Sequence, residues 1–224
     1  MARRRRKKKI TILGWGSLLW EGGDEFDQWH GPWCFDGPIL RIEFTRVSGR
    51  RLGALTLVID ANHGSPIPVA WCLSTRASAD DAACDLRARE ETTIGRIARI
   101  EIDRGPFTEE PAATVAAWAK RKRLDAVVWT ALTSNFEEKV GTSFSLPAVI
   151  SYIKGLPAAG KLRAAEYVWR TPEFVQTPVR AALQQEPWFG ERASSHAAGA
   201  GGGEPPDRDS NYVPPRLNRE RSAS

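Results

Sequence analysis

Two groups of residues have the types and spacing for chemistry. The first centres on Glu90. Ala79, Ala82, Ala83 and Leu86 recur at the intervals of one helix face, and Glu90 follows Leu86 by one further turn. A carboxylate on that stripe points toward the core side. Desolvation raises a glutamate from about 4.3 toward neutrality, the range a general base needs near pH 7. The alternative is a carboxylate at a frayed helix end, paired with Arg87 or Arg89. Glu91 is the rival base, but it lies about 100° further round the helix, away from the stripe.

The second group is the turn Gly14-Trp15-Gly16-Ser17-Leu18, directly after the apolar run Ile10-Thr11-Ile12-Leu13. Glycine adopts positive φ and lets another group approach the backbone closely. Successive N–H groups in such a turn form a concave anion site, to which Ser17 adds a hydroxyl. A carboxylate or a developing oxyanion fits there. The alternative is a tight turn with a packed tryptophan. No later glycine follows at the spacing of a dinucleotide-binding loop.

The elements that must position these groups read as follows. Lys9 to Leu13 is a strand that ends in the glycine turn, and residues 21–37 are loop-like. Strands over 39–48 and 52–60 flank a hairpin at Gly49-Arg50-Arg51. Val69 to Leu73 is a further strand. Ser78 is an N-cap with Asp81 three residues on, so the spacing predicts a helix over 79–91. A strand over 97–102 follows. A helix then begins at Pro111 and ends in the basic cluster 120–123, where cations suit the helix dipole. Ala126 to Leu132 reads as a buried strand. Helices over 146–155 and 158–169 flank Leu156-Pro157, and a short one covers 178–184. Strands at short spacing with few crossover helices argue for an antiparallel or mixed sheet, not a doubly wound one.

Composition narrows the function classes. The 224 residues suit one domain over 10–190, with a basic arm at 1–9 and a Gly/Pro/Ser-rich tail at 191–224 that reads as flexible. The seven basic residues at 3–9 exceed the net charge of +5, so the remainder is near neutral and offers no basic patch for nucleic acid. Any nucleic-acid or membrane association would work through that arm. Cys34, Cys72 and Cys84 are odd in number and form no CxxC, which argues against a disulfide framework or a zinc site. His30, His63 and His196 are too few to favour a metal centre. No stretch reaches the roughly 20 apolar residues of a membrane span, and a cytoplasmic location is expected.

Taken together and in order, the two sites resemble those of the γ-glutamylcyclotransferase-like superfamily, in particular its ChaC-like branch. Gly14-Trp15-Gly16-Ser17-Leu18-Leu19-Trp20 is similar to the Gly-Tyr-Gly-Ser-Leu turn and following Trp of that branch. Arg89-Glu90 resembles its Arg-Glu pair. Phe44-Thr45-Arg46-Val47-Ser48, Gly53 to Asp60 and Pro68-Val69-Ala70-Trp71 are similar to the stretches between. The likeness covers about residues 10–135. Trp15 stands where the family has tyrosine, and Thr92-Thr93-Ile94-Gly95 where a tyrosine often follows the Glu.

The resemblance implies an α+β fold with a mixed, largely antiparallel, β-barrel-like sheet flanked by helices. It implies an enzyme that cyclises a γ-glutamyl amide to 5-oxoproline, with Glu90 as general base and acid. Gly14, Trp15, Gly16, Ser17, Leu18, Arg46 and Ser48 would bind the substrate. Neither cofactor nor metal is required, the partner is a small γ-glutamyl molecule, and a homodimer is left open. The other reading of the same residues is a non-catalytic protein on the same fold that holds a small anion or a γ-glutamyl ligand.

Overall fold

The computed structural model describes residues 6–22 and 25–189. The tail at 190–224, with His196, and the first part of the basic arm, 1–5, lie outside the described residues. Of the rest of the arm, Arg6 pairs with Asp125 at 2.5 Å and Lys8 with Glu101 at 2.8 Å.

The β-branched run after Lys9 forms β1 (Ile10–Gly14), buried along its whole length. It pairs in parallel with β7 (Ala126–Thr130) at the centre of a four-stranded sheet. Antiparallel β5 (Ala70–Leu73) and β6 (Ile97–Glu101) form the edges. Central strands covered on both faces read as continuous apolar runs, which is why β1 and β7 lack polar alternation. Helix α1 (Ala79–Arg89) covers one face. Its Ala79, Ala82, Ala83 and Leu86 pack with Ile10, Ile12, Ala126 and Val128. Full burial of Leu86 alone contributes about 2 kcal/mol.

A second, antiparallel sheet has β2 (Ile39–Val47) between β3 (Leu55–Ile59) and β4 (Ser65–Pro68). The family resemblance implies a barrel-like sheet. The strands form two sheets, and no barrel closes among the described residues. Pro66 and Pro68 have no N–H to offer a further neighbour, so β4 remains an edge. The larger core lies on the other face of the first sheet, where Leu13, Val127 and Trp129 meet Phe44 and Leu57 of the second. Helices α2 (Ala112–Lys122), α4 (Leu146–Gly155), α5 (Ala158–Arg170) and α6 (Pro178–Gln184) contribute to it. A short α3 (Phe136–Val140) also forms, its Phe136 fully buried.

The α+β class holds, and Ser78 caps α1 as expected, while Thr177 caps α6 in the same way. Ser78 accepts the N–H of Asp81 at 3.1 Å and Thr177 that of Arg180 at 3.3 Å. Helix α2 is fixed to the loop before β2 through Asp36. That residue takes the Trp71 indole at 2.7 Å on its carboxylate, the Trp118 indole at 3.2 Å on its carbonyl, and Lys122 as an ion pair.

Three local readings change. Strand β4, helix α3 and the short 3-10 helices at Gly16–Leu19 and Glu25–Trp29 were not expected from the pattern. The hairpin at Gly49-Arg50-Arg51 is part of a longer turn, closed by Ser48 N–H to Ala54 at 3.0 Å, with Leu52 and Gly53 at positive φ. Helix α1 stops at Arg89, two residues early.

Candidate active site

The early stop of α1 positions Glu90. Glu90 keeps its N–H on Leu86 at 2.9 Å, as in a last helical turn. Glu91 then takes φ +47, and the N–H groups of Glu91 and Thr92 return to Ala88 and Arg87. This is the left-handed helix ending usually made by glycine. It leaves Glu90 half-buried and Glu91 exposed, both of them lining the same cavity. Glu91 is exposed and pairs at 3.4 Å with Arg50, itself exposed, an arrangement that contributes little to stability.

Glu90 lines a cavity of about 220 Å³ together with Gly14, Trp15, Ser17, Leu18, Arg46 and Ser48. Its volume lies just below the roughly 300–1,000 Å³ of common small-molecule sites. All but one of the residues singled out in the sequence therefore meet in one place. The exception is Gly16, which stands behind the wall at φ +77. A Cβ built there would come within 2.3 Å of the Tyr167 hydroxyl. The close approach that Gly16 permits is thus made by a side chain of the protein.

Burial raises the Glu90 carboxyl above its ordinary value. The charges of Arg89, Arg50 and Arg51 pull against that rise, and Glu21 adds to it. The same cavity is lined by four arginines, Arg46, Arg50, Arg51 and Arg89. Two of them are engaged by Glu21. Arg51 donates to both its oxygens at 2.7 Å, and Arg89 lies 3.6 Å from one of them and donates to the Glu21 carbonyl at 2.8 Å. Burial works against the charge of Glu21, yet its bond to Arg51 and the nearby arginine charges hold it below the ordinary carboxylate range. Arg46 donates to the Thr133 carbonyl at 2.8 Å. The loop that carries Arg50 and Arg51 is anchored from α4, where Tyr152 donates to the Gly53 carbonyl at 2.8 Å.

Tyr167, on α5, was not among the residues singled out in the sequence. It is buried, with Trp20 edge-on at 5.3 Å and Phe44 at 6.0 Å, and the Arg51 guanidinium stands 4.8 Å from its ring centre. Its only signal in the chain is a hydroxyl-bearing aromatic on the stripe Gly160, Ala164, Tyr167 and Val168, a pattern that reads as core.

This arrangement pairs a desolvated carboxyl, suited to proton transfer, with a cationic surround suited to an anionic ligand. Among the described residues no group of three His, Cys, Asp or Glu side chains is arranged to hold a metal ion, and no helix is long and apolar enough to cross a membrane. No family model matches the chain, and no curated protein matches it.

Proposed function

We propose that this chain is a γ-glutamylcyclotransferase-like enzyme that converts a γ-glutamyl amide to 5-oxoproline and a free amine. The observation that carries the reading is the single cavity shared by Glu90 and the Gly14–Leu18 turn. The two-sheet α+β architecture is then a divergent form of that family's fold.

The substrate's α-carboxylate lies against the arginines that line the cavity. Glu90 takes a proton from the α-ammonium. The freed nitrogen attacks the γ-carbonyl carbon of the same molecule, and a five-membered ring closes. The bond from that carbon to the amide nitrogen then breaks. Glu90 returns its proton to the departing nitrogen. The ring nitrogen releases a second proton as it becomes an amide, so the amine leaves as an ammonium ion. Because the attack is intramolecular, the protein has only to fold the substrate, move protons and stabilise the oxyanion.

The test is incubation of the full chain with a panel of γ-glutamyl amino acids, peptides and amines, followed by NMR. Equal amounts of 5-oxoproline and amine are expected from at least one member. An unchanged panel would overturn the reading.

A further inference from the structure

The sequence reads the turn after β1 as an anion cradle, yet in the structure a side chain packs against it. The Tyr167 hydroxyl is packed so closely on Gly16 that a Cβ there would lie 2.3 Å away. The backbone of Leu57 and Ser17 acts on the hydroxyl in the sense that opposes the effect of burial. A tyrosine oxygen has one proton and two lone pairs. Tyr167 also lines the cavity that Glu90 lines, so its O–H stands within reach of a ligand held there.

We infer that Tyr167 is the hydrogen-bond donor of this site, and that the Gly14–Leu18 turn holds the phenol in place rather than binding the substrate oxygen with its own amides. The inference rests on the proposed cyclisation. There the acceptor is the γ-carbonyl oxygen, which becomes an oxyanion as the ring closes.

The surroundings fit a donor. Burial pushes the Tyr167 hydroxyl up to about 12, the Arg51 charge working against the rise and the Glu90 charge with it. The group therefore keeps its proton at neutral pH. Trp20, Phe44 and the overlying Arg51 hold the ring on three sides. A donor fixed before the substrate arrives needs no reorganisation during the reaction, which is the condition for a strong effect on rate.

The experiment compares the full-length wild type, Tyr167→Phe and Glu90→Gln on a γ-glutamyl amide that the wild type turns over. Phenylalanine keeps the ring contacts and removes only the hydroxyl. The expected result is a fall in kcat of about 10²–10³-fold, the range for loss of one oxyanion donor, with KM changed by no more than a few-fold. A purely structural tyrosine would lower the melting temperature and leave kcat of the folded fraction unchanged. Should Tyr167→Phe not fold, Tyr167→3-fluorotyrosine decides, because it keeps the shape and makes the phenol more acidic. A kcat that moves with that acidity supports the donor, and an unaltered kcat overturns it. Full activity of Tyr167→Phe beside an inactive Glu90→Gln overturns the donor assignment alone. A wild type that releases no 5-oxoproline from any amide overturns both readings.

Discussion

Arg51 donates to both carboxylate oxygens of Glu21, at 2.7 Å each. The pair keeps a negative charge beside a cavity lined by four arginines. Glu90 feels both signs, since Glu21 raises its carboxyl and Arg50 lowers it. The acid limb of kcat/KM reports the base of the free enzyme. Glu21→Gln removes the charge that raises Glu90, so the acid limb moves to lower pH. Arg50→Gln removes a charge that lowers it, so the limb moves to higher pH. Shifts of the same sign, or none, in the two pH profiles would count against Glu90 as the titrating base.

Gly16 meets two constraints at once. Its φ of +77 costs an L-residue about 1–2 kcal/mol, and a Cβ would collide with the Tyr167 oxygen. Overpacking of this kind costs about 1–3 kcal/mol. Gly16→Ala is therefore expected to destabilise the protein by a few kcal/mol in chemical denaturation. In a Tyr167→Phe background the collision gives way to a tight contact, because the next atom of that ring lies 3.3 Å away. The backbone cost then dominates, and the two substitutions give less than the sum of their separate effects. Strict additivity would refute the contact.

Glu43, on β2, is fully buried and accepts the N–H of Phe44 at 2.8 Å and of Val179, in α6, at 3.3 Å. Burial raises its carboxyl, although the bonds from Thr177, Phe44 and Val179 oppose the rise. A carboxyl raised by folding binds its proton more tightly in the folded than in the unfolded chain. Its contribution is complete below the unfolded value of about 4.3 and is lost as pH rises through the folded one. The stability of wild type relative to Glu43→Gln should thus fall from pH 4 to pH 7 in urea titrations. A difference that is flat or grows with pH would contradict this account.

Much of the scaffold was legible because local physics determines it. Ser78 and Pro178 mark helix starts by capping and by a fixed φ, and both helices begin where those residues place them. Leu86 to Glu90 was legible because helical periodicity is local. Tyr167 was not. It reaches Gly16 across most of the chain through the packing of α5, and no pattern within α5 separates its hydroxyl from a core aromatic. The division into two sheets was hidden for a similar reason, since strand pairing depends on partners distant in sequence. Strand β4, with two prolines in Ser65-Pro66-Ile67-Pro68, lacks the usual strand composition and exists because β2 accepts it as an edge.

The central claim is that Glu90 moves the proton in a ring closure. Its most direct measurement is kcat for 5-oxoproline release by wild type and by Glu90→Gln, with the fold of both verified by their melting curves. The account predicts steady release by wild type and a loss of about 10²–10⁴-fold in the variant, the contribution of one positioned acid–base group. Equal rates from the two proteins would contradict it.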